Sequence, residues 1–323
     1  MKAAAHDDGC EVCHAPLGNL IAEGELAIDE GVTCEACHAI RDVEINKKAG
    51  FQYQYGLAEN RKFGPLCDAK DNYFHKMGCA PLFHEAKMCA GCHAFSIQLE
   101  GETKLPIFEE YDEWLASSFA AAGVACQECH MPGEIGQAAT GTSRTTKLGH
   151  HGFMGNGGDL LRKALSVVVN AREEADRIVA DVVLKNEGAG HHVPSGMPGR
   201  QVLVRARALD AKGNVQASEE RSLGRVLTGA DGNEEVPFYI AKKESADDRI
   251  EPGKSRSFSF SFVAPRAGEL RVEVVWRSLS PPLAKTLGQT AEERPMATVV
   301  VPFGERSVGK TRALLPKTMV YKP

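Results

Sequence analysis

The chain has 323 residues, 43% of them hydrophobic and 25% charged, with a formal net charge of −5. That length holds about two domains, and no run approaches the ~20 consecutive apolar residues of a membrane-spanning helix. Charge divides unevenly: residues 1–157 carry 12 Lys and Arg against 22 Asp and Glu, whereas the remainder carries 26 against 21, a balance that argues against a nucleic-acid partner for the first half. Residues 1–20 show neither a basic n-region nor an apolar h-region, so they do not read as a signal peptide.

In chain order, the first 130 residues contain four copies of one pentapeptide: Cys10-Glu-Val-Cys13-His14, Cys34-Glu-Ala-Cys37-His38, Cys89-Ala-Gly-Cys92-His93 and Cys126-Gln-Glu-Cys129-His130. Each is C-x-x-C-H, in which two thiols form thioethers to a porphyrin and the following imidazole ligates its iron. Paired C-x-x-C units also bind zinc, but zinc requires no His directly after every second Cys. The pattern therefore implies four covalently bound haem c groups, with Cys10, Cys13, Cys34, Cys37, Cys89, Cys92, Cys126 and Cys129 as attachment points and His14, His38, His93 and His130 as proximal ligands. Because such haems are attached outside the cytoplasm, the chain is expected to be exported, periplasmic or extracellular, with its leader already removed.

Residues 1–157 otherwise read as a loop-rich, partly α-helical tetrahaem domain organised by its haems, which replace the apolar core. Its clearest helix is expected over 109–122, where Tyr111, Trp114, Leu115 and Phe119 recur at three- and four-residue spacing. The two remaining cysteines, Cys67 and Cys79, lie twelve positions apart and read as a disulfide closing the loop that carries His75, with free buried thiols as the alternative. Beyond a glycine-rich linker at 155–158, alternating runs at 165–170, 177–184, 201–209, 257–263, 270–276 and 297–301, separated by turn residues, predict an all-β immunoglobulin-like sandwich over 158–304 that contains no cysteine. The basic segment 305–323 is expected to be a tail, either disordered or packed on the haem domain or a neighbouring subunit.

A haem that only passes electrons gains from a second axial ligand, because six-coordination closes the iron. Seven histidines remain for this: His6, His75, His84, His150, His151, His191 and His192. His75 and His84 flank the approach to the third motif. Each adjacent pair, His150/His151 and His191/His192, is expected to supply one ligand, leaving His6 over. Met77, Met88, Met131 and Met154 are the alternative sixth ligands.

Several segments carry a resemblance to multihaem c-type cytochromes, and more narrowly to the secreted tetrahaem cytochromes that polymerise into extracellular filaments. They are Gly64-Pro65 through Cys67-Asp-Ala69 to His75, Pro81-Leu-Phe-His84 leading into the third motif, Gly123-Val-Ala-Cys126 through Pro132, His151-Gly-Phe153, and Gly190-His-His-Val-Pro-Ser-Gly196. The resemblance covers about residues 6–210. It implies His151 over His150 and His191 over His192 as distal ligands, with His191 supplied from the β-domain. It also implies other redox proteins or further copies of the chain as partners, the latter sharing an axial His between subunits.

The expected function is thus electron transfer along closely packed bis-histidine haems, without substrate chemistry of its own. Its rivals are a monomeric carrier, a docked subunit of a membrane redox complex, and a small-molecule reductase with one open haem.

Overall fold

The computed structural model describes residues 11–18, 20, 31–46, 50–101, 103–138, 143–153, 158–263 and 267–304. Cys10, His6, Met154 and the 305–323 tail lie outside the described residues. The chain divides into two compact units, Met1–Phe95 with Gly123–His151, and Ser96–Ala122 with Gly152–Pro323. This differs from the single boundary expected at 157/158, because the stretch between the third and fourth motifs belongs with the strand-rich unit. Among the described residues no helix is long and apolar enough to cross a membrane.

In the first unit the described residues of each C-x-x-C-H segment lie on a single short helix: α1 (Glu11–His14), α2 (Cys34–His38), α3 (Lys87–His93) and α6 (Cys126–His130). One turn suffices, since residues three and four apart share a helical face. Between them β1 (Ile40–Asn46) pairs antiparallel with β2 (Gly50–Tyr55), setting Val43 opposite Tyr53. Next, β3 (Arg61–Gly64) pairs parallel with β4 (Lys76–Cys79). The loop joining β3 and β4 is closed by the Cys67–Cys79 disulfide, with Cα atoms 4.5 Å apart. Within it Asn72 Oδ1 accepts the N–H groups of Phe74 (2.8 Å) and His75 (3.1 Å). The fully buried apolar cluster here is small: Ile40, Val43, Phe63, Ala80 and Leu82, with Phe51, Tyr53, Tyr55, Phe83 and Met88 partly buried around it.

The 96–122 stretch follows β5 (Phe95–Gln98) with β6 (Lys104–Phe108) and two short helices, α4 (Glu110–Leu115) and α5 (Ser118–Ala121). The continuous helix expected over 109–122 is therefore broken. Ser117 explains the break: its Oγ caps α5 by accepting the Phe119 N–H at 3.2 Å while donating to the Trp114 carbonyl at 2.7 Å. Leu115 lies on solvent rather than in the expected apolar stripe.

In the first unit β7 (Gly133–Gly136) pairs antiparallel with β8 (Thr146–Gly149). The rest of the strand-rich unit comprises α7 (Gly158–Ala164), β9 (Leu165–Glu174), β10 (Arg177–Asn186), β11 (Gln201–Asp210), β12 (Val215–Gly229), β13 (Ala241–Asp247), β14 (Ser255–Val263), β15 (Ala267–Arg277), α8 (Pro281–Thr286) and β16 (Glu293–Gly304). They build two antiparallel sheets, ordered β14-β10-β9 and β13-β12-β11-β15-β16. Alternate residues face inward: Ile178, Ala180, Val182 and Leu184 from one sheet share a single core with Val202, Val204, Leu270, Val272 and Val299 from the other. The sequence reading found six of these strands and missed β12 and β13.

On the outer face of the larger sheet, Arg205 forks onto Glu293 at 2.6 and 2.7 Å, and Arg277 approaches the same carboxylate at 2.9 Å. The hydrogen bond from Arg205 holds the Glu293 pKa down to about 2, with Arg277 adding to it against the opposing effect of burial. A carboxylate with a depressed folded pKa contributes stability that is complete above its unfolded value of about 4.3 and lost as pH falls toward the folded one. The unfolding temperature of the strand-rich unit is thus expected to drop between pH 4.5 and 2. Calorimetry of Glu293→Gln should show a shallower drop, and an identical pH profile would contradict the assignment.

Candidate functional site: four thiol–imidazole segments

The thiols of different motifs meet in the first unit. Helix α1 packs against α3, and Cys13 hydrogen-bonds Cys92, which brings the Cys92 thiol down to about 6. Cys89 in turn donates to Cys126, raising its own pKa and lowering that of Cys126. Burial raises Cys37, and the nearby Cys92 and Cys34 thiols add to this. Tyr53 backs the cluster, with its hydroxyl donating to the Met88 carbonyl at 2.8 Å and lying 3.8 Å from Cys92 Sγ. Gly91 makes this approach possible, since a Cβ there would lie 2.3 Å from the Tyr53 ring.

Of the proximal histidines, His38 has the most fully defined surroundings. Thr33 caps its helix through Oγ1, which accepts the Ala36 N–H at 3.3 Å. The His38 Nδ1 lies 2.6 Å from the Phe63 carbonyl. A carbonyl only accepts, so the proton sits on Nδ1 and the lone pair on Nε2, the arrangement a metal-binding imidazole needs. The ring stacks on Phe83, with centroids 5.3 Å apart and an interplanar angle of 22°. Its centroid is 6.1 Å from that of His151, at 32° between planes. His14 and His93 are exposed at the ends of their helices and His130 is half-buried.

The other histidines occupy contrasting places. His75 is fixed through its backbone, and its Nδ1 is buried without a hydrogen-bond partner among the described residues. His84 ends the short turn Pro81–His84 on the surface. His150 and His151 are both exposed, and the His151 ring approaches that of the proximal His38. In the strand-rich unit, His191 Nδ1 lies 3.0 Å from the His192 carbonyl, which only accepts, so Nδ1 carries a proton here too. His192 instead faces Glu113, with Nδ1 3.3 Å from Oε1 and its backbone N–H donating to Oε2 at 2.9 Å. Burial lowers the His192 pKa against the attraction of that carboxylate. Sequence reasoning missed Glu113, Arg225 and Arg249, because charged residues in a polar-looking stretch give no sign of burial.

These residues fit a covalently held porphyrin iron. Each described motif offers thiols and an imidazole on one helical turn, the Phe63 carbonyl sets the tautomer His38 would need, and the surrounding apolar cluster is small for the chain it must order.

No family model matches the chain, and no curated protein matches its sequence. Among solved structures, a penta-heme cytochrome c552 from Thermochromatium tepidum is similar, with a TM-score of 0.71 and 22% identity over 91% of this chain and 83% of that one. At that identity the likeness establishes a shared fold, and this chain carries four C-x-x-C-H segments beside the five haems of its neighbour.

Proposed function

We propose that the chain is an exported tetrahaem c-type cytochrome that carries electrons along bis-histidine haems. The observation that carries this reading is the pair His38 and His151, whose ring centroids are 6.1 Å apart. Two imidazoles bound on opposite sides of one metal through bonds of about 2 Å have centroids roughly 6 Å apart. The shared fold with a multihaem cytochrome and the convergence of thiols around α3 support the same reading.

When bound, haem c supplies a one-electron ferric/ferrous couple. The chain's residues do the rest. The motif cysteines would anchor the haems, and His14, His38, His93 and His130 would each ligate an iron from one side. His75, His84, His151 and His191 are the proposed ligands of the other side. The Phe63 carbonyl accepts from His38 Nδ1 and Phe83 stacks on the ring, so the two together would hold that imidazole in one orientation toward a bound iron. No acid or base group is required, in line with a carrier rather than a catalyst.

Intact-mass analysis of the exported protein tests the cofactor assignment. Addition of four haems is expected, with haem-bearing peptides at all four motifs, and any smaller number would contradict it. The resemblance to the secreted tetrahaem cytochromes that polymerise supports a homopolymer as the working form. Electron microscopy of the secreted fraction is expected to show filaments, and particles of single-chain mass would contradict that part.

A further inference from the structure

We propose that Glu113 is a positioning residue: its buried carboxylate holds the Gly190-His191-His192 turn and so sets the direction in which His191 presents Nε2 to iron. This rests on the reading of His191 as an axial ligand. Glu113 stands on α4, with only 6% of its side chain exposed, and one of its oxygens accepts a hydrogen bond from the residue after His191. Oε2 accepts the His192 N–H at 2.9 Å, and Oε1 lies 3.3 Å from His192 Nδ1.

The carboxylate is itself immobilised. Arg249 Nη1 lies 2.7 Å from Oε1, and the Arg249 side chain, 5% exposed, is tied to Asp247 at 2.8 Å. Two other contacts hold the turn. Asn186 Nδ2 donates to the His191 carbonyl at 2.8 Å and to the Ile250 carbonyl at 2.9 Å, while its Oδ1 accepts the Ala189 N–H at 3.1 Å. At Gly190, a Cβ would lie 3.1 Å from Trp114 Cδ1 and 3.2 Å from Phe119 Cβ, so the aromatic face of α4 and α5 presses directly on the backbone.

Tying α4 to the sheet would need Glu113 to meet Arg249 alone. With Oε1 on Arg249, acceptance of the His192 backbone N–H by Oε2 is what a clamp on the neighbouring imidazole requires, because an axial ligand must be held to within about 0.5 Å and 10–20°. Residues that orient a metal ligand from behind typically matter by about tenfold to a hundredfold.

The test uses the haem-loaded full chain, comparing Glu113→Ala, Glu113→Gln, His191→Ala and the β11 core truncation Val204→Ala. Ferric spin state by electron paramagnetic resonance and carbon monoxide uptake by the ferrous protein are read beside thermal unfolding. His191→Ala is expected to open one haem. Glu113→Ala should perturb that same haem, raising its carbon monoxide uptake by about tenfold or more. Glu113→Gln, whose amide oxygen still accepts the His192 N–H, should recover most of the original signal, and Val204→Ala should lower the unfolding temperature without touching any haem. If Glu113→Ala does not fold, Glu113→Leu with Arg249→Met removes both buried charges and carries the same readout. Unchanged spectra in the Glu113 variants, with one haem opened by His191→Ala, would overturn the positioning role alone. Four low-spin haems in His191→Ala would overturn the ligand reading, and the inference with it.

Discussion

Serine at all eight motif cysteines is expected to leave the first unit unfolded while the strand-rich unit keeps its structure. Among the described residues the first unit buries one small apolar cluster, Ile40, Val43, Phe63, Ala80 and Leu82, and beyond it Leu17 and a few alanines, Ala15, Ala36, Ala39, Ala86 and Ala90. Ordering each residue costs roughly 1–2 kcal/mol of backbone entropy, a cost that so small a cluster does not offset for the whole unit. The two sheets, by contrast, share a continuous core that includes Phe260, Leu184, Leu270 and Val202 and calls on no cofactor. Hydrogen exchange read by mass spectrometry separates the outcomes. Amides of β1 to β4 should exchange at unprotected rates, and those of β10, β11 and β15 should stay protected. Protection of β1 and β2 in the haem-free chain would show that the first unit folds on its own side chains.

The second large effect is expected at Arg225. Its side chain is 3% exposed, with Nη2 donating to the Pro106 carbonyl at 2.7 Å, Nη1 donating to the Ile107 carbonyl at 3.0 Å, and Nε bonded to Glu244 at 2.6 Å. Glu109 lies 3.2 Å from Nη1 as a further partner. Arg225→Ala strands the Glu244 carboxylate and two carbonyls, while Glu109 keeps Arg249 at 3.4 Å, a change that costs about 3–5 kcal/mol when a buried pair loses one partner. Arg225→Lys keeps the charge without the planar fork and should recover less than half of the loss. Denaturant unfolding monitored in the strand-rich unit measures both, and a loss below about 1 kcal/mol would mean that these bonds are replaced by water.

Arg225 also explains why part of the fold escaped the sequence. It sits between Leu223 and Leu227 in β12, so a cation occupies an inward position where alternation calls for an apolar residue. The first half of that strand, Val215 to Arg221, is largely exposed and charged, as is the edge strand β13. Neither offers a period-two pattern. The six strands found by alternation are those that bury Val, Ile, Leu and Phe at every second position. Assignment of 96–122 to the strand-rich unit depends on pairs such as Arg225 with Ile107 and Arg249 with Glu113, separated by more than a hundred positions. No local pattern carries such information.

The candidate site was legible to a different degree. C-x-x-C-H is a local signal, and the described motifs lie on or beside one-turn helices as their spacing requires. The distal histidines are a long-range matter: His38 and His151 lie 113 positions apart and are brought together only by the fold. The resemblance favoured His151 over His150 and His191 over His192. In the structure the His151 ring lies 6.1 Å from that of His38, and His192 Nδ1 lies 3.3 Å from Glu113 Oε1.

Low-temperature electron paramagnetic resonance of the oxidised, haem-loaded chain, followed by carbon monoxide titration after reduction, tests the bis-histidine carrier most directly. Only low-spin ferric signals and no carbon monoxide adduct are expected. A high-spin signal near one haem's worth, with matching carbon monoxide uptake, would mean an open iron and a catalyst in place of a conductor.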